Sequence, residues 1–571
     1  MGRTETTTTT PTGKPTAKAL AARVAELEAQ LAAANGQLVQ VTRERDALRA
    51  SYERLRLDVE LLQRRIIIGR AERIDTKQLE LEFATKLEAL DRLSARLDAD
   101  EHDAPQPPAA PARKKPSGRR NLRDAKLPEE RIEISDPILE EQVARGEAER
   151  IGFEESYKLG WQRGGMRRIV VARAKYRIAG AVPEATILAT APMPKETFTR
   201  SLFAGSLLAR VLVEKYLDGM PLHRQEGRFA RDGVRLDRGT MSRWIEDAGA
   251  TVGATIVAAM RDEALRTAFC IATDATGVLV QPMRNEQTRQ PCRRGHYLVQ
   301  LADRDHIFFE YMARETSQGI GELFKGFTGF VQADAKSVYD ALFRPPDKPP
   351  DGHELVLPTE VGCWSHARRK FWEATVAKSV VAREGLARIA RLFALERKWK
   401  RRPTADIKAL RAEFASPHLD AFFAWAEAEH QKIIGERGLL RTALGYVVRQ
   451  KAALLRYLDD GRLVMDNNRS ERELRRIAVG RKAWLFVGSD DHAQAAGNIF
   501  SLVASAKLHG LDPEAYLRDL FRVLGHWPRD RYLELSPRYW ATTRAALDER
   551  ELALELGPLT IPSVSTTPEE K

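Results

Sequence analysis

Four short apolar runs and one helical run follow one another in a fixed order over residues 267–334. That order constrains the fold more than any other feature of the chain. TAFCIATD (267–274) reads as a strand ending on an acid, GHYLVQLA (295–302) as a second strand and HIFFEYM (306–312) as a third. SQGIGELFKGF (317–327) has the spacing of a short helix, and GFVQAD (329–334) is a fourth strand that again ends on an acid. Runs of this length rich in β-branched and aromatic residues favour strands. The order is therefore β-β-β-α-β, with Asp274 and Asp334 at the ends of the first and fourth strands.

In a ribonuclease-H-like α/β core the first and fourth strands are parallel neighbours, so their C-terminal ends coincide and the two carboxylates converge. Carboxylates held that close repel unless cations lie between them. Mg²⁺, or Mn²⁺ in its place, suits such a site, because it prefers oxygen ligands and retains waters for a phosphate. Two such ions about 4 Å apart can activate an attacking oxygen and stabilise a leaving one. A third acid is expected from a later helix. VMDNNRSERELRRIAVGRKAWLFVGS (464–489) supplies Glu471 in its first turn, with Asn467 or Asn468 as cap. Arg472, Arg475 and Arg476 follow on nearby faces, with Arg481 and Lys482 further along, all suited to phosphates. Taken singly, each aspartate could be a turn residue at a strand end. Glu471 could be a surface acid pairing with Arg475, worth only a few tenths of a kcal/mol. Three acids in the three required slots carry more weight than any one of them.

Residues 335–470 separate the second and third acids, far more than the fold needs, and their pattern is mostly helical. ERKWKRR (396–402) places five basic residues around Trp399, suiting backbone contact or base stacking, or simply a solvated helix end.

The N-terminal part is organised differently. Residues 1–16 are a Thr-rich tail expected to be disordered. Leu20, Leu27, Ala34, Val41, Leu48, Leu55 and Leu62 fall seven apart, with Val24, Leu31, Leu38, Arg45, Tyr52, Val59 and Ile66 as a second row. A seam sustained over seven heptads predicts a coiled coil, and hence a homo-oligomer, over 17–98. Residues 99–128 form a Pro/Ala-rich, then basic linker that either grips phosphates or stays solvated. Residues 129–195 read as a small module of undetermined fold, with a strand at 167–178 that has a basic face. Residues 196–262 read as helices, with Pro221 opening one, Gly233 following its end and Asp237 capping the next. That arrangement suits a helix-turn-helix presenting Arg238, Thr240, Ser242 and Arg243 to a DNA groove, or an ordinary helical hairpin.

Composition narrows the classes. The chain has 571 residues, and 92 Lys and Arg against 80 Asp and Glu give a formal charge of +12, which favours polyanionic partners. The three cysteines, Cys270, Cys292 and Cys363, make no CxxC pair, so neither a disulfide framework nor structural zinc is expected. No apolar run reaches membrane-spanning length and the N-terminus lacks a signal's apolar stretch, so a cytoplasmic protein without a membrane partner is expected.

Several segments resemble the transposases of the bacterial insertion sequence 66 family: DATGV (274–278), QADAKSVYD (332–340), GCWSHARRKF (362–371), the DNN-to-GS block above, AAGNIFSLVASAKLHGLDPEAYL (495–517), and PLHRQEGRFARDGVRLDRGTMSRW (221–244). The resemblance runs from the coiled coil to about residue 525. It implies a DDE-type transposase that nicks double-stranded DNA at element ends, frees a 3′-hydroxyl and attacks target DNA, aided by accessory transposition proteins. By position, Asp274, Asp334 and Glu471 are its catalytic and metal-holding triad. Cys363 and His366 match a CxxH pattern of such insertions; two ligands make a poor zinc site, so packing or DNA contact is expected of them. His366, Arg368, Arg369 and Lys370 read as phosphate binders. The family's usual Cys-rich zinc module has no cysteines here, across 129–195. The expected organisation is then tail 1–16, coiled coil 17–98, linker 99–128, small module 129–195, helix-turn-helix region 196–262, core 266–345, helical insertion 346–463, second core part 464–525 and C-terminal tail 526–571. The competing readings are a DNA-binding regulator that no longer cuts, and a coiled-coil scaffold.

Overall fold

The structure is a computed structural model that describes residues 24–37, isolated positions between 40 and 89, and then 127–162, 165–179, 186–282, 291–344, 356–376 and 379–563. The chain divides into two compact units, Met1–Pro116 with Ile434–Thr442, and Ser117–Ile433 with Ala443–Lys571. In the first unit, residues 24–37 are helical and Val24, Leu27, Leu31 and Val41 of the heptad rows are exposed. The Thr-rich tail, the basic linker up to residue 126 and most of the seam lie outside the described residues.

The second unit begins with a sheet over residues 129–190 that contains no cysteine. Its elements are β1 (Glu129–Ile134), α1 (Pro137–Ala144), β2 (Ala148–Gln162), β3 (Gly165–Ala179) and β4 (Thr186–Thr190). β3 is central, with β2 antiparallel on one side; β1 (parallel) and then β4 (antiparallel) share the other side. Ile169, Val171, Ala174 and Tyr176 of β3 are fully buried, and their removal from water drives the pairing. The basic face expected at 167–178 is not free. Arg173 pairs with Glu154 at 2.6 Å, Arg177 with Glu149 at 2.7 Å, Arg167 with Glu130 at 2.7 Å, and Arg168 with Glu129. The more exposed of these pairs add little stability, but together they neutralise the face.

Helices α2 (Gly205–Tyr216), α3 (Leu222–Arg231) and α4 (Arg238–Ala248) follow. The termini fall where the capping residues predict. Pro221 precedes α3, and Gly233 takes φ +85°, a left-handed turn that costs glycine nothing. Asp237 accepts from the amides of Gly239 and Thr240 to open α4. A π-helical turn, Gly249–Gly253, leads into α5 (Ala254–Thr267).

The second sheet holds β5 (Cys270–Val280), β6 (Arg293–Ala302), β7 (His306–Met312), β8 (Phe330–Gln332) and β9 (Thr359–Val361), in spatial order β7-β6-β5-β8-β9. β5, β6 and β7 are antiparallel; β8 and β9 run parallel to β5. α6 (Ser317–Leu323) connects β7 to β8. Two differences from the sequence reading matter: β9 lies inside the stretch read as a helical insertion, and β5 runs six residues past Asp274 because β6 pairs with it as far as Val280.

Beyond β9, α7 (Trp364–Val376) and α9 (Ser416–Lys432) pack through aromatic contacts among Trp364, Phe371, Phe422, Phe423 and Trp425, and α8 (Val380–Trp399) meets them where Gly385 lies against Phe371 and Trp425. Trp399, a candidate for base stacking, is instead buried and lies 6.3 Å from Phe414. The chain returns through α10 (Asn468–Trp484), α11 (Asp490–Leu508) and α12 (Pro513–Val523). α11 covers the free edge of β7, where the hydroxyls of Ser501 and Ser505 accept from the amides of Phe309 and Ile307. A Cβ at Gly497 would sit 2.4 Å from the Phe309 carbonyl, so glycine is what lets the helix come so close. Capping an edge in this way prevents stray strand pairing. Of the tail expected over 526–571, the described part up to residue 563 is packed. Trp527, Leu535, Trp540 and Leu552 are buried, and Trp540 stacks edge-on against Tyr516 at 5.8 Å.

Candidate active site

The strand register brings the first two acids together. Cys270 pairs with Phe330, Ile271 with Val331 and Ala272 with Gln332 in parallel. Continued two residues, that register sets Asp274 opposite Asp334. Asp274 lies within β5, not at its end; it is β8 that stops short of its acid. The Asp274 Oδ1 accepts from the Ala275 amide at 2.7 Å. Burial raises the Asp274 carboxyl above the usual carboxylate range and the negative charge of Glu471 adds to this, while the Ala275 amide, Lys336 and His366 act against it. Three of the groups that act on Asp274 thus come from beyond β8.

The DNN segment explains how the third acid is held. Asn467 is buried and stands at the start of α10, yet its side chain does not cap the helix. Its Nδ2 donates to the Thr273 carbonyl at 2.7 Å, one residue before Asp274, and its Oδ1 accepts from the Ser470 hydroxyl at 2.6 Å. The Asn467 amide donates to the Cys363 sulfur at 3.3 Å. Asn468 accepts from the Ser365 hydroxyl at 3.1 Å, and Asp466 accepts from the Asn468 amide at 3.1 Å. Three consecutive polar residues thereby tie β5, the start of α7 and α10 to one point. The loop before them is held by Arg411, which is buried, forms a two-pronged pair with Glu396 at 2.8 Å and donates to the carbonyls of Tyr457, Asp460 and Leu463.

His366, in the first turn of α7, lies between two of the acids. Its Nε2 is 3.6 Å from Asp334 Oδ2 and 4.0 Å from Glu471 Oε1. Its Nδ1 is buried with no hydrogen-bond partner among the described residues. The structure therefore joins His366 to the acids, whereas sequence reading set it among the phosphate binders. Cys363 fulfils the packing alternative: it is buried and burial pushes its thiol up to about 11. No cluster of three or more His, Cys, Asp or Glu side chains is closed to metal-binding geometry among the described residues. The donor set nonetheless suits a hard divalent ion: three carboxylates, one of them partly desolvated, around an imidazole.

The other candidates are dispersed. Arg238 and Arg243 on α4 are exposed, and Thr240 and Ser242 half-buried, with Arg243 donating to the Thr240 hydroxyl at 3.2 Å. On α7, Arg368 lies over the Phe393 ring, Arg369 pairs with Glu373, and Lys370 lies over the Tyr446 ring. On α10, Arg472, Arg475, Arg481 and Lys482 are exposed, while Arg476 pairs with Glu473 at 2.8 Å. Sequence reading missed Asn467 beyond a capping role, Lys336 and Arg411. The DNN motif was the available signal for the first; a single arginine in a long helical stretch gives none.

Comparison with known proteins bears on this arrangement. The family model described as Transposase IS66 family matches residues 200–495, and the one described as IS66 C-terminal element matches residues 501–537. Two relatives come from Sinorhizobium fredii. The uncharacterized protein y4qI is 26% identical over 524 residues, 89% of this chain and 93% of that protein. The uncharacterized protein y4jD is 28% identical over 375 residues, 61% of this chain and 68% of that protein. The first family match takes in Asp274, Asp334, His366 and Glu471 and spans just over half of the chain. The chain belongs to the IS66 transposase family.

Proposed function

We propose that the chain is a metal-dependent DDE transposase that nicks DNA at element ends and joins the freed 3′-hydroxyl to target DNA. The observation that carries this reading is the β5–β8 register, which aligns Asp274 with Asp334 while Glu471 and His366 close on the same point. We read the five-stranded sheet as ribonuclease-H-like, since its strand order is the one that makes these two acids neighbours. Asp274, Asp334 and Glu471 would hold two Mg²⁺ or Mn²⁺ ions. Bound there, the ions would supply charge neutralisation at the scissile phosphate and lower the pKa of the attacking oxygen.

The protein's own groups do the rest. Asn467 fixes the spacing between α10 and β5, so that Glu471 meets the aspartates. His366 orients Asp334 and Glu471 and keeps their carboxylates from swinging apart. Arg472 and Arg475, exposed within the next turn of α10, hold the DNA backbone beside the acids, and Arg238 and Arg243 of the helix-turn-helix region bind at a second place. The heptad seam joins copies of the chain so that two DNA ends are held together; accessory proteins of the element remain candidate partners. No described helix is long and apolar enough to cross a membrane.

The test is nicking of supercoiled plasmid with Mg²⁺ or Mn²⁺, followed by strand transfer of a pre-cut end. Wild type nicks and joins; Asp334→Asn and Glu471→Gln bind duplex normally and do neither. Duplex binding by wild type without nicking in either metal would favour the regulator reading.

A further inference from the structure

The α10–α11 turn carries features that the acid centre does not use. Leu485 has φ 65° and ψ −50°, and the Phe486 amide bonds back to the Trp484 carbonyl at 2.8 Å. This is a γ-turn of positive φ, rare and strained for a leucine. The turn is held against β5: the Val487 amide donates to the Leu279 carbonyl and the Gln281 amide to the Val487 carbonyl, both at 2.8 Å. Yet it presents apolar side chains to solvent. Leu485 is 63% exposed, Phe486 43%, Val479 59% and Leu279 47%.

Two guanidiniums border this tip. Arg481 donates to the Gly277 carbonyl at 2.7 Å, and Arg294 lies across Gly277 so closely that a Cβ there would be 2.6 Å from its Nε. Arg294 is also the register partner of Leu279. The adjacent Arg293 is neutralised by Asp490, but Arg294 and Arg481 have no carboxylate within ion-pair distance among the described residues. Two unneutralised guanidiniums at one glycine form a site for a polyanion. Its apolar neighbour resembles the wedges that proteins insert between base steps of a duplex.

We propose that Arg294 and Arg481 grip the backbone of duplex DNA and that Leu485 and Phe486 press into an adjacent base step, kinking it. Duplex DNA is favoured as occupant by the charge beside the tip and by the helix it ends. Arg472, Arg475, Val479 and Lys482 follow helical spacing along one exposed face that starts beside Glu471, and the turn carrying Leu485 and Phe486 follows the end of that helix. Thirteen residues from Glu471 to the helix's last residue, Trp484, at about 1.5 Å each put the tip about 20 Å from that acid, or about six base pairs at about 3.4 Å. The inference rests on the chain acting on DNA, and its test separates the two.

A 30-base-pair duplex with fluorophores at both ends, titrated with the full-length chain, reads affinity and bending together. Wild type should bind and shorten the end-to-end distance. Arg294→Ala with Arg481→Ala should lower the slope of log affinity against log salt by roughly 1.8, about 0.9 per phosphate contact. Leu485→Gly with Phe486→Ala should leave affinity within about threefold but abolish the distance change; glycine suits the positive φ, so the fold is kept. Wild-type binding with slope and bending untouched by either pair overturns this site and leaves the transposase reading standing. Absence of wild-type binding overturns both. A change in the free protein's mass by sedimentation in the Leu485→Gly, Phe486→Ala variant assigns the tip to a second copy and overturns the DNA wedge.

Discussion

Replacing Asn467 by alanine should loosen the acid centre without touching an acid. The side chain spans two buried partners, the Thr273 carbonyl at 2.7 Å and the Ser470 hydroxyl at 2.6 Å. Alanine leaves both without their partner in a place that water does not reach. A buried polar group left unsatisfied costs about 1–3 kcal/mol. The serine hydroxyl can rotate toward another acceptor, so the pair together should cost about 2–4 kcal/mol. That cost falls locally, on the junction between β5 and α10, because the Asn467 amide keeps its contact with Cys363. Amide hydrogen exchange reads it directly in peptides spanning 268–276 and 466–474. At about 1.4 kcal/mol per tenfold, exchange there should accelerate roughly 30-fold to several hundredfold, with peptides of β2 and β3 unchanged. Nicking should fall with it while duplex affinity stays. Unchanged exchange in both peptides would refute the claim that this side chain joins the two elements.

Three further outcomes follow from the packing and charge. Arg411→Met strands Glu396 and three carbonyls, and should cost about 3–5 kcal/mol; adding Glu396→Met should recover part of the loss in denaturant unfolding. Gly249→Ala places a Cβ 2.2 Å from the Ala495 carbonyl, backbone against backbone, and should lower Tm, whereas Gly227→Ala on α3 meets nothing within 4 Å and should raise it slightly. Burial raises the folded-state pKa of Asp274, so its contribution to stability is full below the unfolded carboxyl's pKa and is lost as pH rises through the folded value. Asp274→Asn should therefore raise Tm in metal-free buffer at neutral pH, by an amount that shrinks toward pH 4; a lower Tm at neutral pH would contradict this.

The sheet that carries the acids was legible because its strands are apolar and its order is a topological statement. Strand order alone pairs Asp274 with Asp334, and the β5–β8 register, continued two residues, sets them opposite one another. The extension of β5 to Val280 was hidden because its last half, ATGVLV, reads like a loop until β6 is found opposite. β9 has three residues, Thr-Glu-Val, too few for any periodicity. The 129–190 sheet was obscured for another reason. β2 is mostly polar, and it pairs with β3 through glutamates facing arginines, so its signal lies in a neighbour distant in sequence. His366 looked like one more member of a basic cluster. Its nearness to the acids comes from α7 starting just after β9 and being tied to α10 through Cys363 and Ser365, contacts between segments about a hundred residues apart.

On the proposed mechanism, three segments far apart in sequence share one divalent-ion site. Fe²⁺ with ascorbate cleaves polypeptide beside the ion it replaces, so mass mapping of the cuts locates that site. A shared site should give cuts near Asp274, near Asp334 and near Glu471, suppressed by excess Mg²⁺ and lost together in Asp334→Asn. Cuts at only one of these segments, or a pattern that Asp334→Asn leaves unchanged, would contradict it.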